Sequence, residues 1–313
     1  MKLLADVRNL IDRVTESRTH PNTVRLFRRV IYGWHLMSVL LLLPAASEFW
    51  GTESLIPMHP SPHKGLLRLL DIDAVRPYYL WFLATYIVLL VVGMTCRWPR
   101  AVALLIYVVA MNLENRAWII LDGGDNLMQL MLIYLIFMDT SPAGVQRKPG
   151  LVTYANNAIT NAAFFIARLQ IVAVYLVAGL AKIDGELWQN GTALYYTLSV
   201  DDFTLPLARK LVAEYPFVSV AGSYSTLAYQ VSFPWLIWNR KARPYLMSFG
   251  TFLHLQIALV MGLFSFGLAV MAAYAVFFTE ERSAKILNAF ASATAIPPTL
   301  RARAAVLLRS HAR

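Results

Sequence analysis

Cysteine is nearly missing from this sequence. Cys96 stands alone, which excludes an internal disulfide and any cysteine-based metal cluster. Charge is scarce as well, at 15% of residues against 58% hydrophobic, with a mean hydropathy of +0.52. Soluble domains carry roughly 25% charged and 45–50% apolar residues, so an ordinary water-exposed globule is excluded. No Walker loop, dinucleotide fingerprint, His-Glu-x-x-His helix or nucleophile elbow occurs. Histidines and acids are too scattered to suggest a metal centre. There is no internal repeat or low-complexity tract. The first 29 residues hold Lys2, Arg8, Arg13, Arg18, Arg25, Arg28 and Arg29 with three acids, and no apolar run among them ends at a small-residue cleavage site, so they do not read as a removable leader. A net charge of +10 without an aromatic-interleaved basic module argues against nucleic acid as a partner.

What the sequence has is apolar length. Stretches near 28–47, 78–95, 101–121, 127–138, 164–182, 220–238, 246–262 and 266–279 have largely uncharged centres. A membrane span needs about 20 such residues, and the fourth and eighth stretches are short. From Met247 to Phe278 the sequence is nearly all apolar. One helix of that length would measure about 48 Å at 1.5 Å per residue, which overshoots a bilayer. The run Gly262 to Gly267 therefore predicts a break between two helices. The expected fold is all-α, a polytopic transmembrane helical bundle of about eight spans. With the N-terminus inside, the inner segments and the adjoining Arg28 and Arg29 hold 20 of the 28 Lys and Arg, and the outer segments hold five. That asymmetry predicts cytoplasmic N- and C-termini and attraction to anionic inner-leaflet lipid. The division expected is a basic cytoplasmic arm over 1–27, a transmembrane domain over 28–279 and a basic cytoplasmic tail over 280–313.

Three blocks carry a resemblance. The fifth span ends in Tyr175, Ala178, Gly179, Lys182, Asp184 and Trp188, spaced aromatic-x-x-Ala-Gly-x-x-Lys-x-Asp-x-x-x-Trp. The second block is I-L-D-G-G-D-N-L-M-Q-L-M at 120–131, and the third is H-L-Q-I-A-L-V-M-G-L-F-S-F-G at 254–267. Together with R-L-F-R-R-V-I-Y-G-W at 25–34 they resemble, in order, the HTTM (horizontally transferred transmembrane) family, related to the membrane part of vitamin K-dependent gamma-carboxylase. The resemblance implies a lysine, here Lys182, acting as base on a reduced quinone at an outward-facing site, with Asp125, Asp184 and His254 as further candidate catalytic residues. Tyr175, Gly179, Trp188, Glu114, Arg116 and Phe264 are the candidate substrate contacts. Desolvation near the bilayer favours a neutral amine able to take a proton. Trp188 sits one position later than in the carboxylase, and the sequence departs from it in two further respects. It ends at residue 313, where the carboxylase continues into a large lumenal region, and it has no histidine near Gly124-Asp125-Asn126. Glutamate carboxylation is therefore not expected, and the chain groups with compact members of the family in a bacterial plasma membrane. A peptide or protein substrate at the outer face is the partner implied.

Each of these residues has a plainer reading. A lysine at the end of a span commonly snorkels to the headgroups. His35 and His254, near the middle of their spans, read as buried histidines bonded to a backbone carbonyl or hydroxyl. Glu114 with Arg116 reads either as a structural ion pair or as a substrate contact. Asp125 and Asp184 read either as electrostatic partners of Lys182 or as helix and turn caps. Trp188, with Tyr195 and Tyr196, fits an interfacial aromatic belt. The alternative to an enzyme is a non-enzymatic membrane partner or maturation factor for a secreted peptide, and a transporter is a third, weaker reading in the absence of an inverted repeat.

Overall fold

The structure is a computed structural model that describes residues 11–58, 65–96, 99–142, 148–200 and 204–293. Residues 1–10 of the expected arm and 294–313 of the expected tail lie outside the described residues. The described residues form helices joined by turns, with no strand. Nine helices have ten residues or more: α1 (Pro21–Leu42), α2 (Tyr79–Gly93), α3 (Pro99–Arg116), α4 (Gly123–Phe137), α5 (Leu151–Ile183), α6 (Pro216–Leu236), α7 (Arg243–Val260), α8 (Phe264–Ala273) and α9 (Glu280–Ala293). The eight apolar stretches fall on α1 to α8. Three helical stretches, Pro21–Trp50, Arg76–Gly93 and Leu151–Ile183, are long and apolar enough to cross a membrane. A fourth is reached if Phe264–Phe277 and Glu280–Ala293, bent by 117° at their junction, are taken together.

Helix α8 sits at the centre, in contact with α1, α4 and α7, while α1 to α4 pack in sequence on one side of it. It is apolar all round, which suits a helix with protein on most faces. Its small residues permit the crowding. A Cβ on Gly267 would lie 2.5 Å from the His254 carbonyl oxygen of α7, and one on Gly124 of α4 would lie 2.8 Å from the Phe266 Cα. The predicted break is present as a turn at Met261–Leu263, where Gly262 takes φ +70°, a region glycine enters without a Cβ penalty.

Two elements begin well before their apolar stretches, at residue 21 against 28 and at 151 against 164. Helix α1 starts at Pro21, whose fixed φ and missing N–H suit a first helical position, so Arg25, Arg28 and Arg29 are helical. Its exposed N–H groups are capped from 258 residues away: the Glu280 carboxylate accepts from Asn22 N at 2.8 Å and Thr23 N at 3.0 Å. A carboxylate there also meets the positive end of the helix dipole. Helix α5 has 33 residues, about 50 Å, because its first turns serve as a polar platform. There Asn157 donates to the Thr15 carbonyl at 2.9 Å, and Asn161 donates to those of Val14 and Ser17 at 2.9 and 2.8 Å. The same end holds Arg28, which donates to Thr140 Oγ1 at 2.6 Å and to the Met94 carbonyl at 2.9 Å.

Candidate functional site

The opposite end of the bundle gathers most of the residues singled out from sequence, in three separate places. The first is a cavity of about 760 Å³ enclosed by α1 to α4 and the start of α8. Trp34 and His35 come from α1, Tyr86 from α2, Glu114 from α3, Asp125 from α4 and Phe264 from α8, with Phe49 and Trp50 beyond the end of α1. Its wall is overwhelmingly apolar. His35 Nδ1 lies 3.9 Å from Glu114 Oε1, and the His35 ring stands edge-on to Tyr86 with centroids 6.2 Å apart. Three buried polar atoms of wall residues have no hydrogen-bond partner: His35 Nε2, Tyr86 Oη and Glu114 Oε2. Each such atom costs about 1–3 kcal/mol, and among the described residues others occur elsewhere, at Arg25 Nε and Gln230 Oε1 for instance.

The surrounding polar residues are occupied with structure. Asp122 and Asp125 form a reciprocal capping box at the start of α4: Asp122 Oδ1 accepts from Gly124 N at 2.6 Å, and Asp125 Oδ2 accepts from Asp122 N at 2.8 Å. Asp125 thus both caps the helix and lines the cavity. Arg116 turns away from Glu114 and donates to the Ile56 carbonyl at 3.0 Å. Asn112 holds the preceding loop, accepting from Leu69 N and donating to the Leu66 carbonyl at 2.9 Å.

The second place is a buried network between α5, α6, α7 and the 3-10 turn after α8. Tyr175 Oη hydrogen-bonds to His254 Nε2 at 2.8 Å and to Tyr274 Oη, which in turn bonds to Tyr229 Oη at 2.9 Å. A Cβ on Gly250 would collide with the Tyr229 and Tyr274 hydroxyls, so the glycine makes room for them. Among the candidates, Tyr175 and His254 belong here. Phe266 packs its ring 5.8 Å from that of His254, placing this network two residues along α8 from the cavity residue Phe264.

The third place is the end of α5. Gly179 packs against α6, where a Cβ would approach the Val231 side chain to 3.2 Å. Lys182 is half-buried, its amine 3.4 Å from the Ala178 carbonyl of its own helix and 5.0 Å from the Trp188 ring centroid. A cation over an indole face is worth about 0.5–1 kcal/mol at exposed sites. Among the described residues Lys182 makes no ion pair, and Asp184 is exposed at the helix end. Glu114, Asp125 and Phe264 are therefore brought together, Tyr175 and His254 form a separate pair, and Lys182 with Trp188 forms another.

Sequence reasoning overlooked Tyr86, Tyr229 and Tyr274, and it read His35 first as a structural histidine. A tyrosine inside an apolar run is indistinguishable from a packing residue until its hydroxyl is seen to have or lack a partner. Among the described residues no group of three His, Cys, Asp or Glu could hold a metal ion.

The chain is 26% identical over 285 residues to the uncharacterized protein YitO of Bacillus subtilis (strain 168), covering 85% of this chain and 88% of that one. No solved structure matches. The model of the HTTM domain matches residues 64–281, more than half of the chain and all of the segments that form the three polar places apart from α1 and the Phe49–Trp50 segment that follows it. This all-helical membrane protein belongs to the HTTM domain family.

Proposed function

We propose that this chain is a membrane enzyme acting on a reduced quinone or related lipid-soluble substrate that enters the cavity between α1, α2, α3, α4 and α8. The single observation carrying this reading is that cavity, about 760 Å³ with a nearly wholly apolar wall. Ligand sites of this kind span about 300–1,000 Å³ and combine apolar surface with a few polar groups. Glu114 and Asp125 supply such groups. The bundle would sit as eight spans with both termini cytoplasmic, because the Lys and Arg excess lies at the end where α1 begins. The cavity's polar residues then face outward, where a peptide could also be reached. Lys182, the base implied by the family motif, lies towards the same end but outside the cavity wall, so it would take a phenolic proton from a substrate head that extends past the cavity to the end of α5.

A second reading is favoured by the contacts of Lys182, which lies over Trp188 and is not part of the cavity wall. In this reading the chain is a non-enzymatic partner or maturation factor for a secreted peptide, and Lys182 anchors the end of α5. The substitution Lys182→Ala separates the two. With insertion verified, turnover of a decyl-substituted hydroquinone in membranes should fall by about 10²-fold or more if the amine is the base. Unchanged turnover removes Lys182 from the chemistry. Mass spectrometry of lipid extracts from the purified protein adds the second arm: a bound quinone supports the enzyme reading, and a stoichiometric peptide partner with no quinone supports the other.

A further inference from the structure

We infer that the nine-residue helix Pro206–Glu214 lies along the membrane surface, with Leu207, Leu211 and Tyr215 sunk among the upper acyl chains. The partner this face fits is lipid. At about 100° per residue, Leu207, Ala208, Leu211 and Val212 share one half of the helix, and Arg209, Lys210 and Ala213 share the other. The helix packs on Ala193–Leu198 and on α6, which divides its apolar half. Val212 is 2% exposed and Ala208 is half-buried, whereas Leu207 is 78% and Leu211 45% exposed. Tyr215 N still donates to the Leu211 carbonyl at 3.0 Å, so exposed Tyr215 extends the row by a turn. Its ring lies 6.2 Å from that of Phe217, which is 69% exposed at the start of α6.

The helix starts at the depth a membrane surface requires. Leu205 N donates at 2.9 Å to the carbonyl of Val260, the last residue of α7. From Arg243, where α7 begins, that helix rises about 26 Å. The Arg243 end has the character of the other surface. Arg240 and Lys241 are exposed beside it, as are Trp235 and Trp238 at the end of α6, and basic residues next to exposed tryptophans mark a membrane–water boundary. A hydrocarbon core measures about 30 Å, which puts Pro206–Glu214 at the opposite boundary. The apolar row continues along α6, where Phe217, Val220 and Tyr224 share one exposed face. Helix α6 in turn packs along α5, which is long and apolar enough to cross a membrane. Lys210 pairs with Glu214 at 3.7 Å at the edge of the row, where the charged groups of an interfacial helix meet headgroups. A convex helix face suits a fluid layer that conforms to it better than a peptide that needs a groove.

The test introduces Leu207→Cys, Leu211→Cys or Ala213→Cys singly into the full chain carrying Cys96→Ser, and attaches a nitrobenzoxadiazole fluorophore to each thiol. The proteins are read in phosphatidylcholine nanodiscs, with and without lipid bearing a nitroxide near the top of its acyl chain. Nitroxide lipid should quench the labels of Leu207→Cys and Leu211→Cys at least about threefold more than that of Ala213→Cys, and aqueous iodide should quench in the reverse order. Iodide quenching that is equal and strong at all three positions would leave the helix in water and overturns the inference. Labels of Leu207→Cys and Leu211→Cys shielded from both quenchers would show a protein covering the row, a second copy included, and overturn it too. Strong lipid quenching at all three would place the whole helix in hydrocarbon, which the inference also does not survive. If Leu211→Cys does not insert, Leu207→Cys, the more exposed of the two, decides against Ala213→Cys. The surface is separate from the cavity and from Lys182, so none of these outcomes touches the lipid-soluble-substrate reading.

Discussion

At the scale of single residues, Asp139 and the cavity-wall residues treat their side-chain polar atoms in opposite ways. At the end where α1 begins, every oxygen of Asp139 is used. Burial by itself would push its carboxyl upward, but hydrogen bonds from Ser141 and from Asn156 at 3.1 Å, and the Arg18 guanidinium 3.7 Å away, hold it below the usual carboxylate range. The sign follows from linkage: a carboxyl depressed in the folded state binds fewer protons there than in the unfolded chain, so its contribution is present above the unfolded pKa and lost as pH falls through the folded one. Asp139→Asn should therefore lower stability by about 1–3 kcal/mol near neutral pH. In thermal unfolding of the detergent-solubilised protein, the gap between the two proteins should close below about pH 4. A gap that stays constant with pH would assign the loss to packing and not to charge. At the opposite end, His35, Tyr86 and Glu114 keep unpaired atoms.

At the scale of elements, α8 shows how small residues set the geometry of the site. Its approach to α7 and α4 decides how far Phe264 reaches into the cavity and how near Phe266 comes to His254. Gly267→Ala places a Cβ 2.5 Å from the His254 backbone oxygen and 2.8 Å from the Ala258 Cβ, contacts that no side-chain rotation relieves. Overpacking of this kind costs about 1–3 kcal/mol. Gly33→Ala is the control: nothing lies within 4 Å of its added Cβ, and a helix interior gains about 1 kcal/mol from alanine over glycine. Opposite shifts of the melting temperature are expected, and a similar response from both would show that the α7–α8 contact is not tight. The Glu280 cap on α1 works at the same scale. It ties the start of α9 to the first turn of α1, which accounts for the sharp bend between α8 and α9.

At the scale of the whole molecule, the arrangement is polarised. Arg18, Arg28, Asp139 and the asparagines of α5 lie at one end, and the cavity, the capping box and Lys182 lie towards the other. The proposed orientation gives a direct experiment with Cys96→Ser as background, since Cys96 is the only native thiol. Asp184→Cys, at the end of α5, and Thr19→Cys, against Asn161 in its polar early turns, report the two sides of the expected span, and both native residues are exposed. A membrane-impermeant maleimide added to intact cells should label the first and spare the second. The reverse pattern would invert the orientation, and labelling of both would remove α5 as a span.

The sequence by itself determined the class of molecule, because bilayer solvation imposes composition and apolar length directly on the chain, and the eight stretches became α1 to α8. It also marked the Gly262 turn, where backbone freedom is written in residue type. The family motif is likewise local, and Glu114, Asp125 and Phe264 were singled out before any of them was seen on a common cavity wall. Tertiary structure alone decided which polar residues share a space. Whether the Tyr86 hydroxyl is paired, whether Arg116 turns to Glu114 or to the Ile56 carbonyl, and whether Lys182 reaches Asp184 or Trp188 all depend on groups brought close by helix packing. Sequence period cannot encode those pairings, since the partners lie on different helices and the same apolar pattern permits many arrangements around them.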